Sequence, residues 1–163
     1  MNIISKNYIS EPFYIFFDVD GVLNCKSDWN RRFTLNKSCL NAFGALDKHF
    51  SHPIYIISST WRVGKSENNI QGNPYDDLQR SLASYGIKIL GSTPQSNKTR
   101  QEEISYYLRR NCNNTQDYII LDDDPSLFSR PDDINLYCTN YNTGLTEKDI
   151  SLIIRSIQNR RRK

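Results

Sequence analysis

The sequence predicts an α/β fold of three layers, a parallel sheet with helices on both faces. Three observations carry this. Residues 13–17 (FYIFF), 53–57 (PIYII) and 118–121 (YIIL) are short apolar runs bounded by polar or turn-forming residues, the pattern of strands buried on both faces. Between them lie segments whose apolar residues recur at helical spacing. Strand and helix alternate, and a parallel crossover needs such an intervening helix.

In chain order, FYIFFD (13–18) is the first strand. Thr34 to Phe50, with Leu35, Cys39, Leu40, Phe43 and Leu46 on one stripe, is the first helix. PIYIISS (53–59) is the second strand. Asn73-Pro74 starts a helix whose stripe Leu78, Leu82 and Tyr85 stops at Gly86, a C-terminal cap. IKIL (87–90) is a short third strand, and Asn97 or Thr99 caps a helix to about Arg110, with Ile104, Tyr107 and Leu108 inward. DYIILD (117–122) and INLYCT (134–139) are strands. Thr146-Glu147-Lys148-Asp149 opens a last helix carrying Ile150, Ile153, Ile154 and Ile157. The expectation is a single domain over 1–163, with its core at about 13–158 and a short basic C-terminal tail.

Composition sets limits. With 24% charged residues, 10 Tyr, 7 Phe and 2 Trp, the chain is globular and not disordered. The net charge of +3 lies partly in Arg160, Arg161, Arg162 and Lys163, a solvated end or a nucleic-acid contact. Cys25, Cys39, Cys112 and Cys138 form no CxxC pair, so reduced thiols are expected. No apolar stretch has the length of a signal or a membrane span, so a cytoplasmic protein without a membrane partner is expected. Oligomeric state is not legible.

The chemistry sits at the strand ends. Ligands of open parallel sheets bind beyond the carboxyl ends of the strands. Here these ends deliver Asp18 and Asp20, then Ser58-Ser59-Thr60, then Asp122-Asp123-Asp124. Acids facing one another across a crevice repel unless a cation lies between them, and all-oxygen ligands suit Mg2+. With the metal, one carboxylate stays ionised to attack phosphorus, while a second acid protonates the leaving oxygen and later activates water. Hydroxyls, backbone N–H groups and a cation would hold the phosphoryl oxygens.

These residues resemble a known family. DVDGVLN (18–24) matches the DxDG[VT] first motif of haloacid dehalogenase (HAD) phosphotransferases, IISST (56–60) the second and YIILDDDP (118–125) the fourth. The third, a Lys or Arg at a helix start, is Lys98 or Arg100. The resemblance runs from about residue 13 to 155 and implies a Rossmann-like, HAD-type fold with a minimal cap. More narrowly, Ser59-Thr60-Trp61-Arg62, GSTP (91–94) before Arg-x-Glu-Glu-Ile (100–104), ILDDD (120–124) and Gly144-Leu145-Thr146 resemble the small HAD domains of "Swiss Army Knife" RNA repair proteins. That likeness implies a phosphatase acting on RNA or DNA ends, and the first functional reading takes a nucleic-acid end or a nucleotide as substrate. Carried over, Asp18 would be the nucleophile and Asp20 the general acid and base; Asp18, the Asp20 carbonyl and Asp122 would hold Mg2+, with Asp123 either a further ligand or close beside it. Ser58 or Ser59, with Arg100 or Lys98, binds the phosphate.

The segments 24–33 and 62–75 are too short for a large cap, which leaves an open site suited to a bulky substrate. The first, with Trp29, Arg31 and Arg32, would form a flap, and the second a mobile loop. A nucleic-acid substrate predicts a basic track through Arg31, Arg32 and Arg62. Trp29 and Trp61 are either core fillers or base-stacking rings. Asp124 before Pro125 also suits a turn opening, and His49 and His52 read as surface histidines. Two other functions stand beside the first. Asp-Asp-Asp-Pro is similar to the Asp-Asp-x-Pro of capless protein phosphatases, which implies a phosphoprotein substrate, and a non-catalytic binding module would keep the pocket alone.

Overall fold

The computed structural model describes residues 9–31, 33–65, 73–96, 98–112, 117–131 and 134–162. Five parallel strands form one sheet in the order β3-β2-β1-β4-β5: β1 Ile9–Phe17, β2 Phe50–Ile57, β3 Ile89–Ser92, β4 Tyr118–Asp122 and β5 Leu136–Cys138. Three helices connect strands, α1 Lys37–Asp47, α2 Pro74–Ala83 and α3 Arg100–Asn111, and α4 Glu147–Arg161 follows β5. The predicted α/β class and Rossmann-like layering are therefore present.

Alternation along the central strand makes the three layers. Ile15 and Phe17 join a core with Phe43, Leu46, Leu78, Leu82, Ile153 and Ile157, the inward residues of α1, α2 and α4. Phe16 points the other way, into a second core with Ile56, Ile120, Ile104 and Leu108, where α3 packs. The chain grows outward from β1 through β2 to β3, then returns past β1 to β4 and β5. Right-handed crossovers in opposite directions put their helices on opposite faces, so α3 lies apart from α1 and α2. The reversal falls between β1 and β4, the switch point at which such sheets bind ligands.

The boundaries moved by a few residues, each for a physical reason. Asn36 caps α1 by accepting from the Ser38 and Cys39 N–H groups, so the helix starts after Thr34. Phe50, expected in that helix, opens β2 and packs on the Phe13 ring at 5.0 Å between centroids. Ile87 donates its N–H to Leu82 O in the turn after α2, which delays β3 to Ile89–Ser92. Thr99, not Asn97, caps α3 through a reciprocal pair with Glu102; Asn97 lies outside the described residues. Arg160 and Arg161 belong to α4, and Arg161 pairs with Asp117 at 2.9 Å, so that part of the basic run is not a free tail.

The turn after α2 approaches α1 closely because residue 44 is glycine. A Cβ there would stand 2.5 Å from the ring of Tyr85 in that turn, whose hydroxyl donates to Asn41 Oδ1 of α1. Gly44→Ala should therefore lower stability, although alanine is worth about 1 kcal/mol over glycine in a helix interior. In a Tyr85→Ala background the same substitution should raise stability. Urea unfolding of the four proteins checks the reversal, and a Gly44→Ala effect independent of Tyr85 would refute it.

Candidate active site

The ladder continues one residue past the strands and lines up a polar row. Phe17 pairs with Ile57 on one side and Leu121 on the other. Beyond it, Asp18 N donates to Leu121 O, Ser58 N to Phe17 O, Thr93 N to Ile57 O and Thr139 N to Asp122 O. Thr93, Ser58, Asp18, Asp122 and Thr139 thus stand side by side, and all are buried. Neighbouring strands are about 4.8 Å apart, so Ser58 and Asp122 flank Asp18 directly while Thr93 is one strand further away.

Buried carboxylates need a partner, and α3 supplies it. Arg100, its first residue, places Nη1 2.8 Å from Asp18 Oδ2 and 2.6 Å from Asp122 Oδ2. Asp122 shares the pleat side of Ile120, which faces α3, so the helix start meets the acids directly. Burial opposes the guanidinium charge, yet Asp18 and Asp122 hold it more firmly protonated than usual. Burial, then the charge of Asp18, pushes the Asp122 carboxyl up to about 6, against the opposing pull of Arg100. The same two causes push Asp123 up to about 6. Lys98 is exposed and donates its backbone N–H to Ser96 Oγ, so of the two cations it is Arg100 that meets the acids.

Asp20 faces elsewhere. Its Oδ1 accepts from Asn24 Nδ2 at 2.8 Å and its Oδ2 from Trp61 Nε1 at 3.1 Å. Asn24 makes four hydrogen bonds, since Nδ2 also donates to Thr34 O and Oδ1 accepts from Gly21 N and Trp29 Nε1. Gly21 has φ 76, and a Cβ there would fall 2.3 Å from the Asp123 carboxyl. Only glycine both makes this turn and lets Asp123 come beside it. Asp20 lines a cavity of about 360 Å³ together with Asn24, Trp29, Arg31, Phe33, Thr60 and Trp61.

The two serines differ. Ser59 Oγ accepts from Trp61 N at 3.3 Å, whereas buried Ser58 Oγ has no hydrogen-bond partner among the described residues. Arg62 Nη1 donates to both their carbonyl oxygens, at 2.6 and 2.9 Å, and Nη2 pairs with buried Glu103 at 2.8 Å. Arg62 therefore ties the serine turn to α3 and cannot extend the basic track predicted through Arg31, Arg32 and Arg62. Arg32 lies outside the described residues, as do residues 66–72 of the predicted loop, whose start instead forms a 3-10 turn over Thr60–Lys65. Lys26–Asp28 in the predicted flap is a second such turn, pinned by Asp28 Oδ2 to Cys25 N and Asn36 Nδ2. Asp124 is used as a cap, accepting from Ser126 N and Oγ.

Sequence reasoning did not find the roles of Asn24, Trp61, Arg62 or Glu103. The available signal was position: Asn24 follows Asp20 by one helical turn, and Trp61-Arg62 directly follow the serines. His49 is half-buried, His52 is exposed, and neither joins the site.

One oxygen from each of Asp18, Asp122 and Asp123 lies within 4.8 Å of the others. This all-carboxylate set, already pressed by mutual repulsion, fits a hard divalent cation such as Mg2+. No helix among the described residues is long and apolar enough to cross a membrane. The sequence pattern of the family described as "HAD domain in Swiss Army Knife RNA repair proteins" matches residues 14–150. No curated protein matches the chain.

The raised carboxyls make stability depend on pH when metal is absent. Between the ordinary 3.8 and about 6 the native state keeps protons that the unfolded chain releases. Their stabilising contribution is complete below about 4 and is lost as pH rises through 6. Urea unfolding in EDTA should therefore give a free energy that falls more steeply between pH 4 and 6.5 for the native protein than for Asp122→Asn. Equal slopes would contradict the assignment.

Proposed function

The chain belongs to the family of HAD domains found in Swiss Army Knife RNA repair proteins, and from that premise we propose that it is a Mg2+-dependent phosphomonoester hydrolase acting on RNA or DNA ends. One observation carries the reading. Asp18 and Asp122 are adjacent in one row and bridged by Arg100, while Asp20, two residues on, is turned toward an open cavity. Two carboxylates in such different surroundings suit different tasks.

Asp18 is the nucleophile. One of its carboxylate oxygens forms a bond to phosphorus as the bond to the leaving oxygen breaks, giving an aspartyl-phosphate. Arg100 holds that carboxylate in place and balances its charge. Asp20, fixed by Asn24 and Trp61, gives its proton to the leaving oxygen and then takes one from the water that attacks phosphorus and frees Asp18. Ser58 Oγ, buried beside Asp18 and unpartnered, is the side-chain donor to a phosphoryl oxygen. Asp18, Asp122, Asp123 and the Asp20 carbonyl would hold Mg2+, which supplies charge neutralisation for the phosphoryl group.

The matched family's association with RNA repair supports a polynucleotide substrate, as does the aromatic cavity beside Asp20. The phosphoprotein reading leaned on Asp-Asp-Asp-Pro, a segment in which Asp124 serves as a local cap. A cytoplasmic setting goes with this proposal.

Phosphate release from 3′- and 5′-phosphorylated RNA and DNA oligonucleotides, mononucleotides and a phosphopeptide, with Mg2+ or EDTA, tests it. Release should require Mg2+, fall to background with Asp18→Asn, and fall about 10²–10⁴-fold with Asp20→Asn. Undiminished turnover by Asp18→Asn would exclude the mechanism, and preference for the phosphopeptide would exclude the nucleic-acid substrate.

A further inference from the structure

We propose that the cavity beside Asp20 is a subsite for the nucleobase of the nucleotide that carries the scissile phosphate. The proposal rests on the phosphatase reading and names what the site holds in addition to the phosphate.

Position comes first. The cavity is bounded by the Asp20 carboxylate and not by Asp18, Asp122 or Asp123. The acid that protonates the leaving oxygen must sit on the leaving-group side, so whatever fills this space belongs to the leaving alcohol. Its volume of about 360 Å³ is at the lower end for small-molecule sites, enough for one nucleoside but not for a folded chain.

The walls decide the chemistry. Trp29, Phe33 and Trp61 line the cavity, and Trp29 and Phe33 are 42% and 39% exposed. Both indole N–H groups are already spent, Trp29 on Asn24 and Trp61 on Asp20. Both tryptophans therefore have fixed orientations; Trp61, 1% exposed, backs the wall, and Trp29 offers the cavity ring surface instead of a donor. Flat apolar surface favours a π-faced ligand over a polar aliphatic one. Trp29 is further held against Tyr141, with centroids 6.2 Å apart and planes 27° from parallel.

Phe33 adds an independent sign. It takes a left-handed backbone, φ 59, in which a bulky residue is strained, and its ring stands edge-on to Trp61 at 5.2 Å. A chain that merely needed a turn here would use glycine or asparagine; this one keeps a large ring at the cavity edge. Cations complete the setting. Arg31 lines the cavity, and Lys26 lies over the Tyr141 ring at 5.6 Å, within the same short segment. Positive charge beside stacking rings suits a polynucleotide end whose next phosphate lies just beyond the base. A phosphoserine leaving group would bring no π-face to the exposed surface of Trp29 and Phe33.

The test measures binding separately from turnover. Asp18→Asn protein in Mg2+ buffer is titrated, by fluorescence anisotropy, into labelled 3′- and 5′-phosphorylated RNA oligonucleotides, each paired with a twin whose terminal nucleotide is abasic. At the preferred end the base-bearing form should bind about 5- to 150-fold more tightly, the range for stacking one base. Adding Trp29→Ala or Phe33→Ala should bring that ratio close to one, while Trp29→Phe should retain most of it. Because the ratio is taken within each variant, a general loss of affinity cancels. No base preference in the parent, or a preference that survives both alanine substitutions, would overturn the subsite. So would Trp29→Ala weakening a phosphotyrosine peptide while sparing RNA. Phosphate release without a base preference would remove the subsite alone; a base preference without release from any substrate would keep the subsite and remove the phosphatase reading.

Discussion

Everything at this sheet edge follows from the repulsion among three carboxylates and the one cation set between two of them. Asp18, Asp122 and Asp123 converge, and Arg100 spans Asp18 and Asp122. Three ionised acids and one guanidinium leave an excess of two negative charges. Burial first, and that excess second, explain why Asp122 and Asp123 hold their protons up to about 6, and the excess makes a divalent cation the natural complement. The arrangement is costly in the absence of metal, which is the signature of a place shaped by function more than by stability.

The topology makes that convergence possible. β1 lies in the middle of the sheet, so its end is flanked by the ends of β2 and β4 and covered by the start of α3. Arg62 and Glu103 join the serine turn to the helix that carries Arg100, so the hydroxyl side is tied directly to the cation side. Asp20 escapes this arrangement because Gly21 turns the chain away, and Asn24 and Trp61 then hold its carboxylate toward the aromatic cavity. One short loop thus separates the carboxylate row from the cavity beside Asp20.

Much of this was legible in the sequence because it is local. A continuous apolar run ending in Asp-x-Asp-Gly identifies a buried strand and its tip without knowledge of the rest of the chain. The parallel sheet and its three layers followed from alternation, whereas the strand order β3-β2-β1-β4-β5 had to come from the structure. What could not be read depends on distance in space. Arg100 and Lys98 are equivalent as cations near a helix start, and only the direction of α3 selects Arg100. Ser58 and Ser59 are identical in composition, and only the ladder places Ser58 beside Asp18. Arg62 looked like part of a nucleic-acid track because its partner Glu103 lies 41 residues further along. The same separation hid the Trp61 bond to Asp20. Helix and strand limits slipped where caps and turns, not hydrophobic pattern, decide them.

The central claim is that Asp18, and neither Asp20 nor Asp122, takes the phosphoryl group. Borohydride reduces an acyl-phosphate to the alcohol, so quenching a steady-state reaction with borohydride and mapping the peptides by mass spectrometry locates the intermediate. Homoserine at position 18, formed only with substrate and Mg2+, is the predicted result. Reduction at Asp20 or Asp122, or rapid phosphate release with position 18 unchanged, would contradict it.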